Sequence, residues 1–587
     1  MTIEFSNDLK NLISKNFPSS FSNKILDNNF TDLQKLEKNI NSINVEEDVC
    51  IFNKASTNGL WYNWATDVGS KYTSISYSAG TTWLLNQTLP ITLPEIHIFK
   101  NKDIKCSNKE CNSIYKIVLN GVQGIRSLLV VDNDKNKCDP YCLIGTFEYP
   151  NPSKTYNTRL LKWNFKTNKL KEILKITYDN SIRQIIRYKN KFNDIIFYST
   201  QNDTFDNASS KLYWINKSDI DNKKCNKNIK IKYISFKYKN EEINGSIWDF
   251  FIDSNTIYVS IPLATKDDSK LTGFNIRARL YYFDINSLFD YYWFETKLKN
   301  CIDVSSLIGN CLYPSGFDIN SISTVQVITN PKSKEVYIYT LSDFVYQFLF
   351  LFNNPIALNK AIEKLDISIS STDSLLDVIL AIRKIFLSFD IEGTRIFKFN
   401  KCELYHKKNI IFTTVVGNPP YNTLNKSNTT DGYNSYTNLY TWCATSQKND
   451  YYFGTLDIRS SLYVSLVTII VNLLGNPQGL YQYLITLPEE QIIIITELLN
   501  PNFCISSLTD LKNKELYFDI IHIKYDNISK ITSDGFNSLD RVNNFSDDGV
   551  RNLNIIESCD NKSKYLLVGT TCYQPTNVAK NYLVKIC

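Results

Sequence analysis

Only three histidines stand in the 587-residue chain, His97, His406 and His522. Imidazole is the usual base at neutral pH, so this scarcity argues against histidine metal sites and most histidine triads. His97 falls in the alternating stretch Glu95–Phe99 and His522 in Ile520–Tyr525, which places both on strands. His406 stands beside Lys407 and Lys408, in a solvated turn. No phosphate-binding glycine loop, dinucleotide fingerprint or nucleophile elbow occurs. Carboxylate catalysis stays open, because a glycosidase needs only two acids at the right separation. With 59 acidic residues the sequence does not single out that pair. Asp132-Asn133-Asp134 matches the opening of a calcium loop, but Lys135, Lys137 and the missing Gly and Glu argue against one. The expectation is no catalytic residue, no metal and no cofactor.

Fourteen cysteines are many for a cytosolic chain. The closest pairs are Cys106/Cys111, Cys138/Cys142, Cys301/Cys311 and Cys559/Cys572, and these eight residues are the disulfide candidates. The first two pairs also offer four thiolates to a tetrahedral zinc, though their spacing is not the repeated CxxC of a zinc ribbon. Free buried thiols are the third reading.

Around these groups a unit recurs: an alternating apolar strand, a short polar turn, then a strand of β-branched and aromatic residues. Copies are Ile125–Val131 with Cys142–Phe147, Ile182–Tyr188 with Ile195–Ser199, and Ile247–Ile252 with Thr256–Ile261. Further copies are Val325–Thr329 with Val336–Tyr339, Ile396–Phe399 with Ile410–Val415, and Leu553–Ile556 with Tyr565–Gly569. A third strand follows several of them, as in Arg159-Leu160-Leu161-Lys162-Trp163 and Arg279-Leu280-Tyr281-Tyr282-Phe283, with Asn438-Leu439-Tyr440-Thr441-Trp442 as a looser version. Fourth strands show at Lys169–Ile176 and Lys230–Tyr238. The pattern resembles a β-propeller, an all-β ring of four-stranded blades, here about seven (six to eight) over residues 49–587. The signatures of the named blade families are missing. A strand at Tyr582–Cys587 is expected to close the ring by pairing near Val49–Phe52 or Gly59–Trp64.

Loops after the second strand of each unit are long and rich in Asn, Tyr and Pro, so one face of the ring is expected to be elaborated. Its candidate binding residues are Tyr149, Asn151, Tyr421, Asn422, Tyr433 and Tyr573. Two helical insertions are expected at 343–390 and 460–499, and an N-terminal helical extension at 1–48. Alternating lysines at Ile229–Tyr233 suit a protected edge strand.

Lys plus Arg is 65 and Asp plus Glu 59, a net charge of +6, too small for a dominant nucleic-acid field. No apolar run is long enough to span a bilayer and no basic n-region precedes an apolar segment, so a soluble protein without a secretory signal is expected. In its Lys, Asn, Ile, Tyr and Phe content the chain resembles structural proteins of large AT-rich DNA viruses; other AT-rich eukaryotes and entomopoxviruses fit as well. That resemblance implies a virion component, or a cytoplasmic location. The leading expectation is a non-enzymatic structural or protein-interaction propeller, or a self-assembling one. The alternatives are a glycan-binding propeller and a carboxylate-based carbohydrate hydrolase. An apolar surface patch would favour the first, aromatic shelves on the loop face the second, and facing acids in a central funnel the third.

Overall fold

The computed structural model describes strands, turns and short helices between residues 49 and 586. Residues 1–48, 79–91, 133–138, 149–155, 202–210, 222–228, 267–273, 287–300, 312–321, 343–354, 368–392, 407–411, 426–437, 458–517, 533–548 and 572–577, with some shorter stretches, lie outside that description. Among the described residues the strands group into the seven four-stranded blades of a β-propeller, some neighbouring blades being joined by a single bridging pair such as Ser181 with Phe147 or Leu456 with Gly549. Their innermost strands are Thr66–Val68, Gly124–Val131, Ser181–Lys189, Asp249–Asp253, Ile322–Thr329, Asn438–Gln447 and Gly549–Glu557. Each lies beside the next, and the seventh lies beside the first, so the ring is closed.

Side-chain alternation explains why a ring forms. Successive residues of a strand point to opposite faces of its sheet, and here both faces are apolar. In the strand Asp194–Gln201, Ile196 and Tyr198 pack towards the second blade while Ile195 and Phe197 pack towards the fourth. Among the described residues seven hydrophobic clusters result, one in each gap between neighbouring blades. A blade with two apolar faces has no stable existence unless both are covered, and only a closed ring covers all of them.

Closure is made by the chain's two ends. Val49–Lys54 is the outermost strand of the seventh blade and pairs antiparallel with Lys580–Lys585. A buried polar chain crosses the same seam: Asn581 Nδ2 donates to Tyr77 Oη (2.8 Å), Tyr77 Oη to Asn53 Oδ1 (2.7 Å), and Asn63 Nδ2 to Asn581 Oδ1 (2.5 Å). A disulfide joins Cys50 of the closing strand to Cys106 of the first blade. Cys106 therefore pairs with Cys50 and not with Cys111, because closure of the ring sets residues 56 apart side by side. Cys111 is a free thiol beside the same strand, and its N–H donates to Phe52 O at 2.7 Å. Cys142 is a buried free thiol, pushed up to about 12 by burial. With Cys106 oxidised, the first two pairs cannot supply a four-thiolate metal site. Cys138, Cys559 and Cys572 lie outside the described residues. The strands holding Cys301 and Cys311 join different blades, the third and the fourth.

Cross-linking across 56 residues removes loop entropy from the unfolded chain, about 4 kcal/mol by the polymer estimate. Cys50→Ser is expected to lose up to that amount, read as the urea midpoint; an unchanged midpoint would mean that the cross-link contributes nothing to closure.

The ring also corrects two strand assignments. Ile396–Asn400 and Thr413–Val416 are not a new hairpin unit but the third and fourth strands of the fifth blade. Asn438–Gln447 is not a third strand but the innermost strand of the sixth. Alternation marks a strand and carries no label for its place in the blade. Residues 343–390 and 460–499 then fall between the second and third strands of the fifth and sixth blades. In the first a helix is described at Pro355–Lys364; the second, like residues 1–48, lies outside the described residues.

Candidate functional site

Each innermost strand starts at the face from which the loops after the second strand emerge, because the two strands of a hairpin are antiparallel. Three of these strands carry a one-residue bulge in the same place. The register skips Arg126 between Ile125 and Ser127, Arg183 between Ile182 and Gln184, and Arg551 between Val550 and Asn552. A bulge re-aims its extra residue, and here the three arginines line the central channel at its loop-side mouth. Trp442 occupies a bulge in the sixth blade in the same way.

Each arginine rests on a tryptophan. The guanidinium of Arg126 lies 4.6 Å from the ring of Trp64, Arg183 3.8 Å from Trp248, and Arg551 4.5 Å from Trp442. These rings belong to an aromatic collar. Phe147, Trp64, Tyr62, Trp442, Tyr440 and Trp248 follow one another with centroids 5.1, 5.4, 6.3, 5.7 and 6.4 Å apart. Trp248 Nε1 also donates to Tyr440 Oη at 3.2 Å, tying the fourth blade to the sixth. Gln201 Oε1 accepts from Arg183 Nη1 (2.8 Å) and Arg126 Nη2 (3.4 Å), and Arg183 Nε donates to Trp248 O. Arg126 and Arg183 are thus held in place before any ligand arrives, and Arg551 rests on Trp442.

The channel at this level has a volume of about 280 Å³. Its lining includes Asp67, Asp249, Gln184, Gln326 and Asn552 beside the arginines. Burial pushes the Asp249 carboxyl up to about 7, against the pull of Arg183 and of hydrogen bonds from the Val327 N–H and the Gln184 and Gln326 amides. Burial likewise raises Asp67 to about 6, although its Oδ2 accepts the Val130 N–H at 2.6 Å. Glu148, just past the second strand of the second blade, is buried and pushed up to about 7; one of its oxygens has no hydrogen-bond partner among the described residues. Shifted acids of this kind concentrate at functional sites.

The loop residues Tyr149, Asn151, Tyr421, Asn422, Tyr433 and Tyr573 lie outside the described residues. The loop at 417–437 joins the fifth blade to the sixth instead of joining two strands within a blade. His97 lies 3.1 Å from buried Glu95, and His522 Nε2 lies 2.9 Å from Asp450 Oδ1 and stacks on Tyr452. Both stand on third strands, away from the channel. Asp132 is consumed by a turn: its carboxylate accepts the N–H groups of Ser70, Lys71 and Tyr72 and the Ser70 hydroxyl. A visible signal for the mouth residues lay in Gly124-Ile125-Arg126-Ser127, Ser181-Ile182-Arg183-Gln184 and Gly549-Val550-Arg551-Asn552. Each places an arginine after the first aliphatic residue of an innermost strand.

No family model matches the chain, and no curated protein matches it. Among solved structures it is similar to the polysaccharide lyase Uly1, with a TM-score of 0.42 and 7% identity over 95% of this chain and 96% of that one. It is also similar to a Trypanosoma rangeli sialidase in complex with sialic acid (0.31, 7% identity, 93% and 58%) and to the α-L-arabinofuranosidase Arb93A of Fusarium graminearum (0.29, 10% identity, 49% and 80%). Likenesses this distant say nothing about the channel mouth. The fold and the mouth together define a seven-bladed β-propeller with an arginine-lined aromatic collar.

Proposed function

We propose that this protein is a saccharide-binding propeller whose collar takes a carboxylated sugar, such as a uronic acid residue of an oligosaccharide. The observation that carries this is the set of three guanidinium groups laid on three tryptophans around one channel. A planar guanidinium matches a carboxylate in two parallel hydrogen bonds, and stacking fixes its orientation. Sugar hydroxyls need both donors and acceptors, and Gln184, Gln326, Asn552 and Asp249 line the same space. The assembly and virion roles expected from composition gain no support from the described surface. Its exposed large apolar side chains, among them Leu93, Leu170, Phe192 and Tyr525, are spread over four blades.

Calorimetry with a uronic acid oligosaccharide and its neutral counterpart tests the reading. The acidic ligand is expected to bind and the neutral one to bind at least tenfold more weakly. Arg551→Ala is expected to weaken acidic binding by about 10- to 100-fold, the scale of one charged hydrogen bond. Affinity is also expected to rise as pH falls from 8 to 5. Asp249 and Asp67 protonate on the way through about 7 and about 6, so two negative charges leave the channel while the ligand carboxylate keeps its own. Equal binding of the two oligosaccharides, or an Arg551→Ala variant that binds normally, would overturn it. The raised acids support a second reading, in which the bound saccharide is also cleaved; release of reducing ends that disappears in Asp249→Asn would establish it.

A further inference from the structure

At the opposite end of the channel, the innermost strands of the first, sixth and seventh blades continue past the collar into a larger cleft of about 800 Å³. Asn554 lines both spaces, so the two lie end to end along the channel axis. We propose that this turn-side cleft is a second binding site, recognising a phosphate- or sulfate-bearing ligand.

Three lysines, Lys71, Lys100 and Lys102, line the cleft from two turns of the first blade. No carboxylate lies within ion-pair distance of any of them among the described residues. Both turns are rigid. The Lys71 turn is held by the Asp132 carboxylate through the N–H groups of Ser70, Lys71 and Tyr72. The Lys100–Lys102 turn is held by Asn101, whose Nδ2 donates to Gly69 O (2.7 Å) and whose Oδ1 accepts from Thr73 Oγ1 (2.8 Å). Asn101 N–H also donates to Lys71 O at 2.9 Å, which locks the two turns together. Across the cleft Glu557 is already engaged: Gln447 Nε2 donates to it at 2.9 Å and Lys564 lies 3.5 Å away. The unspent charge is therefore positive and lies on one wall.

Lysine ammonium groups act as point charges with three donors each, and a cluster suits a tetrahedral, multiply charged oxyanion. The collar offers planar forks instead, so the two ends of the channel differ in the anions they select. This site does not rest on the collar reading.

The test is calorimetric titration of the full chain at low salt with inorganic pyrophosphate and, separately, with a sulfated disaccharide. At least one is expected to bind, with affinity at least tenfold lower in the Lys71→Ala/Lys102→Ala double variant and unchanged in Arg551→Ala. Both lysines are exposed, so the double variant keeps its fold. Binding of pyrophosphate alone identifies a phosphorylated ligand, and binding of the disaccharide alone a sulfated saccharide. The proposal falls if neither probe binds, if the double variant binds as the parent does, or if Arg551→Ala removes the binding.

Discussion

A chain ending at Asn581 is expected not to fold. The deletion removes Tyr582, Leu583 and Val584, which are 3%, 0% and 0% exposed. Each such side chain contributes about 1.5–3 kcal/mol by burial, so their sum rivals the 5–15 kcal/mol by which a typical protein is stable. The loss is larger than that sum. Leu583 lies between Leu567 and Cys50 in register, so Val49–Lys54 loses its only partner strand among the described residues when Lys580–Lys585 is cut short. The first blade then loses the cover of the cluster that holds Phe52, Ile75, Tyr77 and Leu583. Far-ultraviolet circular dichroism and urea unfolding are the measurements. A cooperative transition at the parental midpoint would show that the ring does not depend on its seam.

The second large effect is expected from a single methyl group, in Gly454→Ala. A Cβ on Gly454 would meet Val550 Cγ1 at 2.5 Å and Val550 Cβ at 2.6 Å. Val550 is β-branched, fully buried and part of the next blade's innermost strand, so it cannot turn away. Relief requires the sixth and seventh blades to separate, and overpacking of this kind costs about 1–3 kcal/mol or more. The same device occurs twice more. A Cβ on Gly145 would meet the Ser127 hydroxyl and Ile182 Cβ at 2.8 Å, and one on Gly569 would meet Asn63 Nδ2 at 2.6 Å. In all three cases threonine follows, and its hydroxyl accepts a backbone N–H within one residue of the start of the third strand: Thr146 from Arg159 (2.7 Å), Thr455 from Asp519 (2.8 Å), Thr570 from Lys580 (3.3 Å). Glycine admits the neighbouring blade and threonine starts the next strand. A Gly454→Ala variant whose urea midpoint reports less than about 0.5 kcal/mol of loss would refute the close approach.

Much of the blade was legible beforehand. Hairpins such as Ile247–Ile252 with Thr256–Ile261 announce themselves by alternation and a polar turn, while the strand at Tyr582–Cys587 had two candidate partners, Val49–Phe52 and Gly59–Trp64, of which the first forms the pair. Strand order within a blade was less legible. Ile396–Phe399 alternates as well as any innermost strand, and only its pairing with Glu335–Ser342 shows it to be a third strand. The Gly-Thr and aliphatic-Arg-polar repeats were present in the letters, but their meaning depends on neighbours from other blades.

The sequence by itself determined the strand content and the repeat, and narrowed the seam to two partner segments, because these depend on local periodicity and on the need of two-faced apolar sheets to be covered. Tertiary structure decided the disulfide and the channel mouth. Cys50 meets Cys106 only when the ring closes. Arg126, Arg183 and Arg551 reach Trp64, Trp248 and Trp442 only because a bulge turns each arginine into the axis and the ring sets distant strands side by side. No local pattern encodes a distance across a ring; that distance is set by seven packed interfaces acting together.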